Sequence, residues 1–245
     1  MAEAAIIEKA ANTAPLLTVR ELNGWYDESH VLHGISFDVR AGEVVTLLGR
    51  NGAGKTTTLK AIMGMLKKRK GSVRFDGAEL IGLPPRAIAR SGIAFCPEER
   101  GIFGSLSVEE NLMLPPKVCE GGLSRADVLA MFPNLAERLG SPGTKLSGGE
   151  QQMLAIGRIL RTGSKFLLLD EPTEGLAPVI VQQIGRTLAD LKTKGFTIVL
   201  VEQNFHFAAS IADRHYVVEQ GRVVDQIANQ DLSANLGKLH AYLGV

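Results

Sequence analysis

Cysteine is scarce in this sequence: Cys96 and Cys119 are the only two, and they lie far apart. Neither belongs to a Cys-x-x-Cys pattern, which argues against a disulfide framework and against a zinc site built from cysteine pairs. His30 and His33 have no third ligand near them in the sequence, so we interpret them as structural residues. We predict no metal site from these four residues.

The sequence also lacks an excess of charge of one sign and lacks long apolar runs. It carries 27 lysines and arginines against 26 aspartates and glutamates, so electrostatics gives no reason to expect nucleic acid as a partner. No stretch approaches the roughly 18 consecutive apolar residues that a membrane-spanning helix needs. The N-terminus lacks the basic start and apolar core of a secretory signal, so we expect a cytosolic protein whose residues 1–14 form a loose extension.

Three short apolar runs are present and predict a buried parallel sheet. They lie at residues 44–48, 166–169 and 197–201. Continuous apolar runs of this length are typical of parallel strands that are covered on both faces. The first run ends at a glycine-rich loop and leads into a helix-compatible stretch at 57–66, which gives the order strand, loop, helix.

Other segments predict two additions to this core. Residues 17–19, 35–39 and 73–75 alternate between apolar and polar side chains, as half-exposed strands do, and indicate a small antiparallel sheet beside the core. A region at about residues 99–160 contains apolar residues at helical spacing, and we interpret it as an inserted helical subdomain.

The densest run of charge, Lys-Lys-Arg-Lys at residues 67–70, falls where a helix that begins near Thr57 is expected to end. Positive side chains stabilise the negative end of the helix dipole, so we interpret this run as a solvated helix terminus. A lipid-binding or nucleic-acid-binding patch is the alternative.

Residues 49–56 match the pattern G-x-x-x-x-G-K-[ST], and they lie between a predicted strand and a predicted helix as phosphate binding requires. Glycines let the backbone wrap closely around phosphate, while the helix N-terminus directs amide N–H groups at the anion. We expect Lys55 to reach the β- and γ-phosphates of ATP and the Thr56 hydroxyl to bind Mg²⁺. The candidate phosphate-binding residues are Gly49, Arg50, Asn51, Gly52, Ala53, Gly54, Lys55, Thr56 and Thr57. An ordinary glycine-rich turn is the alternative; a dinucleotide fingerprint is excluded because these residues contain no G-x-G-x-x-G pattern.

Two adjacent carboxylates, Asp170 and Glu171, close the apolar run at 166–169. Carboxylates at the end of a buried strand are costly unless a cation or a reacting water uses them. We therefore predict that Asp170 lies beside Mg²⁺, and that Glu171 is the general base or water-orienting group for attack on the γ-phosphate. A strand that ends in solvated acids is the alternative.

A second candidate anion-binding segment is Leu-Ser-Gly-Gly-Glu-Gln-Gln at residues 146–152. Ser147 can cap a helix, and Gly148 and Gly149 permit close approach to an anion. Alone, this segment could be an ordinary capped helix. Together with the phosphate loop and the acidic pair, it resembles the signature motif of ABC ATPases.

The resemblance extends from about residue 17 to residue 245, with each motif in the expected order. It implies an α/β fold in one ABC ATPase domain at 15–245: a P-loop NTPase, RecA-like core with the flanking antiparallel sheet and the inserted helical subdomain. It also implies that ATP and Mg²⁺ bind, and that two nucleotide-binding domains pair head to tail. Ser147, Gly148 and Gly149 would then complete the ATP site of the second subunit.

The resemblance assigns roles at three further positions. Tyr26 is implied to stack on adenine, with Trp25 as the competing candidate and a packing role for Tyr26 as the alternative. Glu98 occupies the Q-loop position, where relatives usually carry glutamine, and would bring a carboxylate oxygen to Mg²⁺. Gln203 occupies the switch position, where most relatives carry histidine. Its amide can donate a hydrogen bond to the γ-phosphate but cannot titrate, so it joins Lys55 and Glu171 as a catalytic candidate.

Within the ABC ATPases, the sequence resembles the LivF-type subunits of branched-chain amino acid importers. The similarity rests on Cys-Pro-Glu at 96–98, Phe-Pro at 132–133, Thr-Glu-Gly-Leu-Ala-Pro at 173–178 and Val-Glu-Gln-Asn at 201–204, whereas Glu99 replaces a glycine common in that group. It implies an ATP-hydrolysing importer subunit at the cytoplasmic face of the bacterial inner membrane. The implied partners are a second ABC ATPase subunit, two transmembrane permease subunits and, indirectly, a periplasmic substrate-binding protein. Importers of urea, amides or aromatic acids are alternatives, and so are non-transport ABC ATPases.

Overall fold

Two β-sheets form the framework of the protein, seen in a computed structural model that describes residues 14–243. The predicted loose extension at 1–14 therefore lies, except for Ala14, outside the described residues. The strands in chain order are β1 (Leu17–Tyr26), β2 (Ser29–Val39), β3 (Val44–Leu48), β4 (Lys68–Phe75), β5 (Ala78–Glu79), β6 (Ile93–Cys96), β7 (Phe166–Asp170), β8 (Thr197–Val201), β9 (Arg214–Glu219) and β10 (Arg222–Ala228). The helices are α1 (Lys55–Ile62), α2 (Pro85–Arg90), α3 (Val108–Met113), α4 (Arg125–Met131), α5 (Pro133–Ala136), α6 (Gly148–Leu160), α7 (Pro178–Thr193), α8 (Phe205–Ile211) and α9 (Leu236–Leu243).

The larger sheet has the strand order β10-β9-β3-β8-β7-β6. It is parallel from β9 to β6, and β10 adds an antiparallel edge strand. Every residue of β3, β7 and β8 is buried, which explains why these strands are continuous apolar runs in the sequence. The predicted parallel core is confirmed. Because these three strands are adjacent and parallel, the residues that follow them lie together at one edge of the sheet.

The smaller sheet is antiparallel, with the order β2-β1-β4-β5. Leu17 on β1 pairs with Val39 on one side and with Phe75 on the other. Leu17 and Val19 are fully buried while Thr18 between them is not, as the two-residue period predicts. The predicted flanking sheet is confirmed.

The prediction that residues 67–70 form a helix terminus is wrong, because α1 already ends at Ile62 and Lys68 opens strand β4. Gly64 adopts a left-handed φ of 74°, and the amide of Met65 donates to the carbonyl oxygen of Lys60 at 2.9 Å. This Schellman arrangement stops the helix one turn before the positive run. The guanidinium of Arg69 donates from the strand to the carbonyl oxygen of Ala61, so a positive charge still meets the end of the helix.

Helices α3 to α6 form a layer beside the edge of the larger sheet where β6 lies, within the region 99–160 that was predicted to be helical. Their buried contacts are made by apolar residues such as Leu112, Val128 and Phe132. Gly157 permits this packing, because a Cβ at that position would lie 2.7 Å from Cγ1 of Val128. The predicted fold class is therefore confirmed. Across residues 14–243, no helix combines the length and the apolar character that crossing a membrane would require.

Candidate active site

The phosphate loop, residues 49–56, connects the buried end of β3 to the start of α1. Gly54 sits at the helix N-cap with φ 106° and fits closely against the backbone of Gly221, 3.3 Å from where a Cβ would stand. Gly49 is equally confined, because a Cβ there would lie 2.2 Å from the carbonyl oxygen of Val218. These contacts hold the loop against the sheet and leave the N-terminus of α1 open to an anion.

Lys55 folds back over the phosphate loop. Its Nζ donates to the carbonyl oxygens of Gly49 at 2.8 Å and Arg50 at 3.1 Å, and lies 3.7 Å from Oε1 of Glu171. The residue is only 4% exposed, and burial lowers the pKa of its ammonium group against the opposing attraction of Glu171. A buried cation directed along a loop of amide groups is suited to binding an anion of high charge.

Thr56, at the start of α1, and Asp170, at the end of β7, bring two oxygen ligands together. The Thr56 hydroxyl donates to Oδ1 of Asp170 at 2.9 Å. The second oxygen, Oδ2, is buried and has no hydrogen-bond partner among the described residues. Burial raises the pKa of Asp170 to about 6, and the negative charges of Glu171 and Glu98 add to the shift. An orphaned carboxylate oxygen beside a hydroxyl fits the oxygen ligands that Mg²⁺ prefers.

Glu171 and Gln203 face each other across the ends of β7 and β8. Nε2 of Gln203 donates to Oε2 of Glu171 at 2.6 Å. Glu171 has a left-handed φ of 45°, and its amide donates to the carbonyl oxygen of Val201 at 3.0 Å. A non-glycine residue in this conformation is strained, and such strain is frequent where a side chain has to be aimed at a reaction centre. The carboxylate of Glu171 is thus fixed by Lys55 and Gln203 from two sides.

The predicted residues of the phosphate loop, together with Glu98, Glu171 and Gln203, line two neighbouring cavities, whereas Asp170 and Tyr26 line neither. We call the first, of about 390 Å³, the phosphate cavity; its lining residues are Val31, Asn51, Gly52, Ala53, Gly54, Lys55, Thr56, Thr57, Glu98, Glu171, Glu174 and Gln203. Gly49, Arg50, Asn51 and Gln203 line the second, of about 740 Å³. Glu174 was not predicted, although it lies only three residues after Glu171 in a quoted motif. The neighbouring Glu171 carboxyl group raises the pKa of Glu174.

Among the described residues, the signature segment, residues 147–149, lies outside the phosphate cavity of its own subunit. Ser147 caps α6, since its Oγ accepts from the amide of Glu150 while the Glu150 carboxylate accepts from the amide of Ser147. The structure therefore brings together the phosphate loop, Glu98, the acidic pair and Gln203, but not the signature segment.

Tyr26 and Trp25 differ in the freedom of their rings. Tyr26 is 46% exposed at the end of β1. Trp25 stacks on His30 with ring centroids 4.2 Å apart, and Nζ of Lys68 lies 5.3 Å from its ring centroid. The faces of Trp25 are therefore engaged by the protein, whereas Tyr26 retains an open face for a planar ligand.

Glu202, to which the sequence motifs assigned no role, is a buried link between two loops. Its Oε1 accepts from the Thr173 hydroxyl at 2.8 Å, and its Oε2 accepts from the amide of Asn204 at 3.4 Å. Burial raises the pKa of Glu202 to about 7 despite these hydrogen bonds. A carboxylate that directly follows the apolar run at 197–201, as Asp170 follows another, was the available signal.

The sequence is similar to a known protein family and to individual proteins of that family. The sequence profile of the family described as ABC transporter matches residues 32–174. The chain is 44% identical to the high-affinity branched-chain amino acid transport ATP-binding protein BraG of Pseudomonas aeruginosa, over 94% of this chain and 100% of that protein. It is 37% identical to the probable branched-chain amino acid transport ATP-binding protein LivF of Archaeoglobus fulgidus, over 85% of this chain and 90% of that one.

Solved structures resemble the whole described fold. A structure described as the ATP-binding subunit of an ABC transporter superposes with a TM-score of 0.80 at 30% sequence identity. The match covers 94% of this chain and 100% of that chain. The similarity therefore includes both sheets and the helical layer as well as the phosphate loop.

Proposed function

The chain belongs to the ABC transporter family as an ATP-binding, ATP-hydrolysing subunit, and on that premise we propose that it powers an importer of branched-chain or other hydrophobic amino acids. The observation that supports this choice of cargo is the 44% identity to BraG over nearly the full length of both chains. Glu98 and Gln203 both line the phosphate cavity, and their presence together supports the same group of importers. Importers of urea, amides or aromatic acids remain the alternative, because an ATPase subunit does not contact the solute.

Hydrolysis by this site follows from the fixed positions of three side chains. The loop amides and Lys55 bind the phosphates and offset the negative charge that develops on them. Glu171, held by Lys55 and Gln203, orients a water for attack on the γ-phosphate and accepts its proton. Gln203 also has an amide available to donate to the γ-phosphate once nucleotide enters.

We propose Mg²⁺ as the accompanying ion, held by Thr56, Asp170 and Glu98. Thr56 and Asp170 are already in contact, and Glu98 lines the same cavity. The ion would neutralise phosphate charge and polarise the bond to the γ-phosphate. The unpaired Oδ2 of Asp170 is the structural feature that supports this assignment.

We propose that each ATP site is completed by a second ABC ATPase subunit in a head-to-tail pair. The support is geometric: Ser147, Gly148 and Gly149 present a capped helix start that does not belong to the phosphate cavity of their own subunit. A helix N-terminus of this kind binds anions. Tyr26, with its open ring face, would hold adenine in the same site.

The remaining partners are two transmembrane permease subunits and, through them, a periplasmic substrate-binding protein, at the cytoplasmic face of the bacterial inner membrane. Exposed apolar side chains support a protein partner on the side of the helical layer: Met65, Met113 and Leu114 are each about half exposed. Residues 15–245 would act as one ATPase domain, with 99–160 as a subdomain that transmits motion. The small formal charge of +1 gives no support to a nucleic-acid partner.

The proposed cargo is tested by isolating the chain from membranes and measuring uptake. We expect two membrane-spanning subunits to co-purify, and labelled leucine or isoleucine to enter vesicles only with ATP and a receptor that binds those amino acids. The Glu171→Gln variant is the matched control, because it should assemble normally and not drive uptake. Uptake of urea or an aromatic acid in place of leucine would reassign the cargo, and purification on ribosomes would contradict the transporter assignment.

A further inference from the structure

Three consecutive residues after strand β6, at positions 98–100, contact three different parts of the protein. Glu98 lines the phosphate cavity. Glu99 pairs with Lys60 on α1 at 3.8 Å. The Nη1 atom of Arg100 donates to Oε1 of Gln151, in the first turn of α6, at 3.0 Å.

Glu98 and Arg100 lie in one hydrogen-bonded turn. The amide of Arg100 donates to the carbonyl oxygen of Pro97 at 3.0 Å, which closes a turn with Glu98 inside it. Arg100 itself has a left-handed φ of 64°. An arginine costs free energy in this conformation, whereas glycine does not, so the side chain must contribute something that glycine would lack.

The Arg100 side chain contacts the segment that carries the signature. The position of a Cβ on Gly148 would be 3.3 Å from its Nη2, so the guanidinium lies directly against the Gly148 backbone. Gln151, its hydrogen-bond partner, donates from Nε2 to the carbonyl oxygens of Gly143 and Leu146. Arg100 is therefore joined through Gln151 to the chain that leads into Ser147.

We propose that Arg100 is a positioning residue that couples the metal side of the phosphate cavity to the orientation of the signature segment. When Glu98 shifts within the cavity to contact bound Mg²⁺ and ATP, the turn at 97–100 moves with it, and Arg100 carries the start of α6 along. The signature segment is then held in the orientation that a second subunit's ATP requires. This inference rests on the proposed function, because it assumes that Glu98 responds to bound Mg²⁺ and ATP.

The test is hydrogen exchange with and without MgATP in the non-hydrolysing Glu171→Gln background, at a dilution that keeps the subunits apart. Two peptides report separately: one covering the phosphate loop, the other covering residues 147–153. In the Glu171→Gln parent protein, we expect MgATP to slow exchange in both peptides. In the peptide at residues 147–153, exchange should slow by about fivefold or more because the segment is stabilised locally. Arg100→Gly, which keeps the left-handed backbone without strain, should lose the response at 147–153 and retain it at the phosphate loop.

Two further variants separate coupling from simple destabilisation. Gln151→Met should lose the same response, and Arg100→Gly combined with Gln151→Met should lose no more than either alone. Arg138→Ala is the matched control: this arginine also contacts the first turn of α6, through Glu150 at 3.6 Å, but it does not arise from the turn at 97–100. It should keep the full response.

The possible failures are distinct. A wild-type response at 147–153 in Arg100→Gly would overturn the role of Arg100 alone. No response at 147–153 in the parent, with the phosphate loop protected, would overturn the coupling but leave the nucleotide site intact. No protection of the phosphate loop in the parent would contradict the proposed function itself.

Discussion

At the scale of single residues, each buried or strained carboxylate of the site is fixed by its own polar partner. Asp170 accepts from Thr56, Glu171 from Gln203, and Glu202 from Thr173. The Asp170 and Glu171 pair could be predicted because two acids at the end of an apolar run are conspicuous. The hydrogen bonds that hold these carboxylates could not be predicted, because which side chains come into contact depends on the order of strands in the sheet.

Glu202→Gln should change how stability depends on pH. The pKa of Glu202 is about 7 in the folded protein against 4.5 for an exposed glutamate. The stabilisation from its bound proton is fully present below pH 4.5 and is lost as pH rises through about 7, because the unfolded chain releases that proton first. The variant should therefore gain roughly 3 kcal/mol in unfolding free energy relative to wild type between pH 4.5 and pH 8.

Urea denaturation of both proteins at several pH values measures this difference directly. Other titrating groups, including Asp170, are common to the two proteins and cancel in the comparison. A difference in unfolding free energy that stays constant from pH 4.5 to pH 8 would show that Glu202 is not protonated preferentially in the folded state.

Glu98→Gln should weaken the response of ATP hydrolysis to Mg²⁺. A neutral amide still offers an oxygen but removes one negative charge from the ligand set, so the Mg²⁺ concentration for half-maximal activity should rise by about fivefold. Glu99→Gln is the matched control, because Glu99 is exposed and pairs with Lys60 rather than facing the cavity. Identical Mg²⁺ titrations for wild type and Glu98→Gln would remove Glu98 from the metal site.

Tyr26→Ala should raise the KM for ATP by about fivefold or more, the effect of losing one stacked aromatic ring. Tyr26→Phe should keep a KM close to wild type, because the ring face is retained. Steady-state hydrolysis at varied ATP measures both variants. If Trp25→Ala raises the KM while Tyr26→Ala leaves it unchanged, the adenine contact belongs to the neighbouring residue.

At the scale of elements, continuous apolar runs predicted β3, β7 and β8 correctly, because strands buried on both faces need no polar positions. The end of α1 was missed. Apolar residues continue past residue 62, but the left-handed Gly64 closes the helix, and residues from Lys68 onward pair with β1. The charge run at 67–70 does interact with the end of the helix, as a helix terminus would. The prediction was wrong because Arg69 makes this contact from strand β4 and not from the helix itself.

Gly157→Ala should destabilise the packing of α6 on its neighbours. The added Cβ would lie 2.7 Å from Cγ1 of Val128, a fully buried side chain with little freedom to move. Overpacking costs about 1 to 3 kcal/mol, which exceeds or offsets the roughly 1 kcal/mol that alanine gains from helix propensity. We expect a net loss of about 1 kcal/mol in denaturant unfolding. Gly140→Ala, where a Cβ meets nothing within 4 Å in the described structure, should unfold like wild type.

At the scale of the whole molecule, the sheet order gathers the ends of β3, β7 and β8 around the phosphate cavity. The phosphate loop and the acidic pair could be predicted because each directly follows an apolar strand, whereas Glu98 and Gln203 were assigned from the family resemblance. It did not predict the connection from Glu98 through Arg100 to the signature segment, which depends on a turn geometry and a side-chain contact 51 residues apart in sequence. Within one subunit, the phosphate cavity and the signature segment are thus separate, and Arg100 connects the turn at 97–100 to the helix that carries the signature segment.

ATP hydrolysis by the purified chain and its Glu171→Gln variant, measured together with ATP binding, tests the central claim most directly. Glutamine keeps the size of the side chain but cannot accept a proton from water. We expect hydrolysis to fall by about a hundredfold or more, the contribution of a positioned general base, while ATP binds with nearly unchanged affinity. A variant that hydrolyses ATP at close to the wild-type rate would contradict the assignment of Glu171 as the catalytic residue.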